Sequence, residues 1–365
     1  MKTCNIVMLP GDGVGREVTE AARRVLSATD ELFDYDISFG EHPIGGAAID
    51  ATGEPLPQAT LDACLEADAV FLGAVGGPKW EGGARRPEEG LLGLRKAMGL
   101  FANLRPVKVS AATIAHSPLK TEIVRGVDLL IVRELTGGSY FGAKTRSATS
   151  ASDLCVYSTE EIVRVARVAF RAAEGRRNHV TLVDKANVLE TSRLWRETVT
   201  ALQQREFPRV TLEYVLVDTA AMRLIQKPRA FDVVLTENMF GDILSDEASM
   251  LPGSIGLLGS ASIGAAGPGL FEPIHGSAPD IAGQDVANPA GAILSAAMLL
   301  RYGLERPEEA DAVEAAVAAV LASGRATIDL GGRESCSGFA RAVVDALRQA
   351  CGVPGNKRHW GMSTA

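Results

Sequence analysis

An α/β fold built on a parallel or mixed sheet is predicted by three features of the chain. Short apolar runs alternate with segments of helical periodicity, glycine turns stand where the two meet, and no long run of either kind dominates. The first unit shows the pattern. Residues 5–9 (NIVML) read as a buried strand, PGDGVG as a turn, and residues 16–28 as a helix. A second strand, at 68–77 (DAVFLGAVGG), also ends in glycines.

Four more strands follow at 126–135 (GVDLLIVREL), 179–185 (HVTLVDK), 209–218 (RVTLEYVLVD) and 231–238 (FDVVLTEN). Residues 158–176 place apolar side chains at i, i+3, i+4 and i+7 behind a Ser/Thr–Glu capping signature, which predicts a helix. Helices are also predicted at 288–304, apolar enough to be buried, and at 311–324. In FGDILSDEASM (240–250), Ile243, Leu244, Ala248 and Met250 predict a helix packed in a core. The same segment carries two carboxylates, Asp242 and Asp246, on one face. The tail from 352 onward has no periodicity and reads as loose.

A chain of 365 residues accommodates two domains and a core that needs no disulfide staples. No linker or low-complexity stretch divides it, so the domains are expected to interleave, the chain leaving the first and returning to it. The net charge of −8 and the lack of any Lys/Arg run argue against nucleic acid as a partner. No apolar run approaches the ~20 residues that cross a bilayer, and the first residues are too short for a signal peptide. Five scattered cysteines without a C-x-x-C pair read as reduced thiols, which points to the cytoplasm.

The turn GDGVG (11–15) is not G-x-G-x-x-G, and no ribose-binding acid stands about 20 residues on, so a standard Rossmann site is not supported. A tight strand-to-helix connection explains it as well as a ligand loop does. The arginines are more telling. Arg95, Arg105 and Arg133 each lie beside or inside apolar runs, and burying a guanidinium demands an anionic partner. Three together suit a di- or tricarboxylic acid, whose oxygens match the guanidinium fork.

Asp242 and Asp246 repel if left unpaired, and Asp218 reads as closing the strand LEYVLVD. With only five unclustered histidines, such oxygens suit Mg²⁺ or Mn²⁺ rather than zinc. Capping or salt-bridged carboxylates remain the alternative. Lys185, ending TLVDK, and Tyr140, after a glycine turn, are candidate proton carriers, although taken singly each is more often structural than catalytic.

At these residues the chain resembles the isocitrate/isopropylmalate dehydrogenase family of β-decarboxylating dehydrogenases. The matching stretches are LPGDGVG, VGGPKW, GLLGLRK, FANLRP, VRELTGGSYFG, VDKANVLE, FGDILSDEASMLPGSIGLL and EPIHGSAPDIAGQDVANP, spread over residues 9 to about 300. The resemblance implies two interleaved α/β domains sharing an extended mixed sheet. A cofactor-binding domain would comprise 1–100 plus 253–365, and a dimerisation and substrate/metal domain 101–252. It implies an NAD-dependent oxidative decarboxylation of (2R,3S)-3-isopropylmalate to 4-methyl-2-oxopentanoate, in leucine biosynthesis, by a homodimer whose active sites are shared between subunits.

Carried over by motif, Arg95, Arg105 and Arg133 would hold the malate carboxylates. Asp242 and Asp246, with Asp218 from the other subunit, would bind Mg²⁺ or Mn²⁺ and with it the substrate. Lys185, also from the other subunit, would act as base and Tyr140 as acid. Glu88, Leu91 and Leu92 would meet the isopropyl group, where leucines suit a branched apolar side chain. His275, Gly276, Ser277, Ala278, Ile281 and Asn288 would line the adenine and ribose pocket, with Gly77 to Glu88 on the cofactor's other side. Asp280 would accept the ribose hydroxyls and repel a 2′-phosphate, selecting NAD over NADP.

The chain departs from the family pattern at Arg16, Ser139, Glu237 and the stretch 143–154. Glu237 is expected to add negative charge near the metal acids. Two other readings are a relative that prefers another 3-substituted malate, D-malate or tartrate, and a non-catalytic regulatory subunit of the same fold. Retention of Tyr140, Lys185 and the aspartates speaks against the last.

Overall fold

The computed structural model describes residues 3–352, so the expectation for the tail falls almost wholly outside the described residues. Twelve strands form: β1 (Cys4–Gly11), β2 (Ile37–Glu41), β3 (Ala69–Ala74), β4 (Ala102–Lys108), β5 (Asp128–Glu134), β6 (Lys144–Arg146), β7 (Ala151–Asp153), β8 (His179–Asp184), β9 (Thr211–Leu216), β10 (Val233–Thr236), β11 (Gly259–Ile263) and β12 (Leu270–Pro273). Ten of them make one sheet in the order β2-β1-β3-β12-β11-β4-β5-β10-β8-β9, while β6 and β7 pair by themselves. The five strands at one side come from the two ends of the sequence and the five at the other from its middle. Within the ten-stranded sheet only the central pairs β12–β11, β11–β4 and β4–β5 are antiparallel. The outer pairs are parallel, joined by helical crossovers, and the sheet is the extended mixed one expected.

Side-chain alternation divides the sheet into two unequal faces. One face is a single apolar core across the whole width: Ile6 and Met8, Phe71, Phe271, Ala261, Leu104, Leu130 and Val132, Val233 and Leu235, Val180 and Leu182. The apolar helices cover it, among them Ala290–Met298, of whose nine residues eight are buried. The opposite face carries two separate clusters. Val7, Leu9, Val70, Leu72 and Leu270 pack at one side. Val107, Leu129, Ile131, Val183, Val215 and Val234 pack at the other. Between them the middle strands present polar side chains.

Several local expectations are met. Ser158 and Glu161 form the reciprocal cap of the helix Thr159–Glu174, Glu161 N–H donating to Ser158 Oγ and Ser158 N–H to Glu161. The glycine turn is a connection: Gly11 and Gly13 have positive φ, and a Cβ on either would strike the carbonyl oxygen of Ala74 or Ser277. Asp12 fills the turn by accepting bonds from the backbone of Gly46, Ala47 and Gly76.

Two expectations need correction. Asp218 does not close a strand, because β9 ends at Leu216 and Asp218 lies in the first turn of the helix Val217–Gln226. The helix Asn238–Ser249 is not packed all round. Leu244 and Ala248 are buried, but Ile243 is 61% exposed and Met250, just past its end, 45%. Its apolar residues therefore form two faces, and only one meets the core.

Candidate active site

The floor of the site is the polar seam between the two clusters. β5 runs Leu129, Ile131, Arg133 along one face, so the period of two puts a guanidinium where the next aliphatic side chain would stand. β4 brings Asn103 and Arg105 to the same face, β11 brings Ser260 and Ser262, and β12 brings Glu272. All are buried. Charges so placed need partners within the protein, and they have them.

The helix Asn238–Ser249 supplies most. Arg133 Nε and Nη2 donate to Asn238 Oδ1 at 3.1 and 2.8 Å, and its Nη1 donates to Asp242. Arg105 Nε donates to Asn103 Oδ1 at 2.7 Å, and Nη1 to Ser245 Oγ at 2.5 Å and Asp246 Oδ1 at 3.2 Å. Arg95, buried near the end of the helix Pro87–Ala97, bonds Glu272 Oε1 at 2.5 Å. Its Nε is buried without a partner. Tyr140, in the short turn Gly138–Tyr140, donates to Asp242 Oδ2 at 2.8 Å. The three arginines, Tyr140 and Asp242 line one cavity of about 280 Å³ with Glu88, Leu91, Leu92, His275 and Gly276.

The electrostatics follow from this crowding. Burial, and then neighbouring Arg105, bring Arg133 down to about 10, against the opposing pull of Asp242. Arg105 is lowered too, chiefly by burial. Burial and the bond to Asp242 push the Tyr140 phenol up to about 12, so it is protonated at neutral pH. Asp246 is raised by burial against the pull of Arg105, with Asp242 adding repulsion.

Lys185 and Asp218 stand apart from this cavity. Lys185 Nζ donates to Asp218 Oδ2 at 2.8 Å, at the end of β8 and the start of the helix after β9. That bond lowers Asp218 below the usual carboxylate range. Among the described residues, no three Asp, Glu, His or Cys side chains of the chain assemble into a metal site. Asp242 and Asp246 nonetheless offer the hard oxygens that Mg²⁺ or Mn²⁺ takes, and a cation would relieve the repulsion between them. They fit part of such a site.

The segment 275–281 runs beside the cavity. His275 Nε2 is shut off from water with no partner, while Nδ1 lies 2.9 Å from the Gly276 carbonyl. Ser277 is buried, its carbonyl accepting from Val14 N–H. Asp280 is exposed, and Ile281 is partly buried and packs against the core. Asn288 is committed elsewhere: it donates to Asp329 and accepts from Ala290 N–H at the start of a helix. Gly77, at φ 152°, lies against the Trp80 ring.

Of the departing residues, Arg16 is exposed and 143–154 largely forms the exposed β6–β7 hairpin. Glu237 is a helix cap, accepting from Phe240 N–H at 2.7 Å and from the Tyr157 hydroxyl at 3.0 Å, so part of its charge is taken up by these donors. Sequence reasoning missed Glu272, Ser245 and Asn103 and gave Asn238 no role. Asn103 and Ser245 left a signal, as polar residues in otherwise apolar patterns. Glu272 left less, since its partner is 177 residues away.

The profile described as isocitrate/isopropylmalate dehydrogenase matches residues 5–343. The chain belongs to that family. A 3-isopropylmalate dehydrogenase from Rhodopirellula baltica is 56% identical over 332 residues, 89% of this chain and 92% of that one. Another from Gloeobacter violaceus is 56% identical over 333 residues, again 89% and 92%. Among solved structures, isocitrate dehydrogenase from Methylococcus capsulatus superposes with a TM-score of 0.86 at 36% identity, covering 95% of this chain and all of that one.

Proposed function

We propose that the chain is an NAD-dependent β-decarboxylating dehydrogenase that converts (2R,3S)-3-isopropylmalate to 4-methyl-2-oxopentanoate for leucine biosynthesis. The observation that carries this is the convergence of Arg95, Arg105 and Arg133 on one cavity that also holds Leu91 and Leu92. A dicarboxylate with a branched apolar substituent matches both kinds of wall. The unpartnered Nε of Arg95 leaves a buried donor for one carboxylate. Relatives named 3-isopropylmalate dehydrogenase at 56% identity favour this substrate over D-malate or tartrate.

In this reading the arginines hold the two carboxylates and so fix C2 and C3. Lys185 of a second copy takes the C2 hydroxyl proton as hydride leaves C2. The C3 carboxylate then departs as CO₂, and Tyr140, a phenol kept protonated by burial and Asp242, delivers a proton to C3 of the enol. NAD⁺ supplies the hydride acceptor and Mg²⁺ or Mn²⁺ an electrophile for the charge developing on the substrate oxygen. Asp242 and Asp246, with Asp218 of the second copy, would hold the metal. His275, with its unpartnered Nε2, Gly276 and exposed Asp280 would hold the cofactor, and Asp280 would exclude a 2′-phosphate.

A second copy enters this reading because Lys185 and Asp218 lie outside the cavity of their own chain. A homodimer is supported by the apolar side chains left exposed on two adjoining helices: Met222 and Ile225 on one, Met239 and Ile243 on the other. We place the domain boundaries at 100/101 and 252/253, near where the sheet passes from terminal to central strands. The scattered free thiols favour the cytoplasm. The test is a steady-state assay of NADH formation with 3-isopropylmalate, other 3-alkylmalates and D-malate, after EDTA and with Mn²⁺ restored. Turnover is expected to be best with 3-isopropylmalate, lost with EDTA and recovered with Mn²⁺. Preference for D-malate would overturn the substrate, and full activity in EDTA the metal.

A further inference from the structure

Tyr157 is a phenol that touches none of the groups assigned to the chemistry, yet it meets three segments that carry them. It is buried, 6% exposed, and its ring meets Trp195 edge-on at 5.4 Å. Its hydroxyl accepts from Asn238 N–H at 3.0 Å and donates to Glu237 Oε2 at 3.0 Å. Glu237 caps the helix that bears Asp242 and Asp246. Asn238 holds Arg133 through two bonds to its Oδ1, and its Nδ2 donates to the Gly137 carbonyl at 3.3 Å.

The same ring backs the turn that delivers Tyr140. A Cβ on Gly137 would lie 2.4 Å from the Tyr157 ring, and one on Gly138 2.4 Å from its hydroxyl oxygen. Gly138 N–H donates to the Val156 carbonyl at 3.0 Å, so the turn is strung along residues 156–157. Burial and the carboxylate of Glu237 hold the phenol well above its ordinary range, so it stays a donor to Glu237 across the working pH.

We propose that Tyr157 is a positioning residue for the dehydrogenase reaction: its hydroxyl fixes Asn238, and through it Arg133. The inference rests on the function proposed above. A hydroxyl that both accepts and donates can join the helix start to its own cap, and no apolar side chain can do so. Without it, Glu237 and the Asn238 N–H lose a shared buried partner, and the Asn238 side chain that orients Arg133 is free to shift.

The test compares Tyr157→Phe with Trp195→Phe in the full-length protein. It follows thermal unfolding and steady-state turnover, with the malate substrate and NAD⁺ varied in turn. Tyr157→Phe keeps the ring and is expected to raise the substrate KM about tenfold, leaving the NAD⁺ KM within twofold. Trp195→Phe disturbs the ring packing alone. It is expected to lower the unfolding temperature at least as much while leaving both KM values within twofold. Equal kinetic effects from the two variants, or an unchanged substrate KM in Tyr157→Phe, would overturn the positioning role. A wild-type protein that does not turn over 3-isopropylmalate would instead overturn the function on which it rests.

Discussion

Arg133 with Asp242 and Lys185 with Asp218 are the same kind of pair, a basic side chain bonded to an aspartate, in opposite surroundings. The Arg133 side chain is 4% exposed, and its chain of partners runs through Asn238 to Tyr157. Asp218 is 58% exposed and Lys185 26%; besides Lys185, Asp218 accepts from the Thr219 backbone N–H. A buried charge is costly unless every neighbour is in place, so the arginine side of the site is bound up with the stability of the fold. An exposed pair contributes little to folding. The lysine side can therefore be changed with little effect on the fold, and its residues are free to meet a second copy and a substrate.

The sharpest way to break this comparison is Lys185→Met. If Lys185 is the base, kcat should fall on the order of 10²–10⁴-fold, while unfolding by urea and binding of NAD⁺, followed by calorimetry, stay near wild type. Unchanged turnover would remove Lys185 from the chemistry. A large loss of stability would show that the pair is structural after all.

Arg133→Met should do the reverse in proportion. The methionine fills the stem of the arginine but leaves Asn238 Oδ1 without its guanidinium donor and Asp242 with Tyr140 and the more distant Arg105. Breaking a buried pair of this kind costs about 3 kcal/mol; Asp242, about a third exposed, recovers some solvation and keeps the figure from being larger. The urea midpoint should therefore shift clearly, and 3-isopropylmalate should no longer protect against unfolding. A variant as stable as wild type would mean that the polar seam is not a stabilised structure.

The same contrast governs what could be read from the sequence. Arg133 was legible because DLLIVR breaks an aliphatic run at a predictable register, and the break lies on one strand. Glu272 was not, since its meaning depends on Arg95, brought near only by the sheet order. β11 and β12, with the sequences GSASI and LFEP, lack the apolar run of a buried parallel strand, and they are strands because β3 and β4 flank them. In the helix Asn238–Ser249, periodicity located Asp242 and Asp246. It could not distinguish an aliphatic face that meets the core from one held open, so Ile243 was assigned to the wrong surroundings. Local pattern thus identified charged groups within apolar elements, whereas partners and second faces are properties of the assembled sheet.

The smallest effect belongs to an exposed cluster with no catalytic assignment. Glu206 accepts from Arg167 and Arg205 at the end of the helix Glu190–Glu206, and those bonds lower its carboxyl to about 2. A folded-state value below the unfolded one makes the contribution complete above the unfolded carboxylate range, near 4.5. It declines as pH falls from there through the folded-state value, and is lost below it, where both states are protonated. Glu206→Gln should therefore lower the urea midpoint only slightly at pH 7, by much less than Arg133→Met, because solvent screens the charges. The gap from wild type should narrow further between pH 4.5 and pH 2.5. A Glu206→Gln loss at pH 7 that matched Arg133→Met, or a gap that widened in acid, would mean that exposure does not separate the two kinds of pair, and Lys185–Asp218 could no longer be treated as dispensable to the fold.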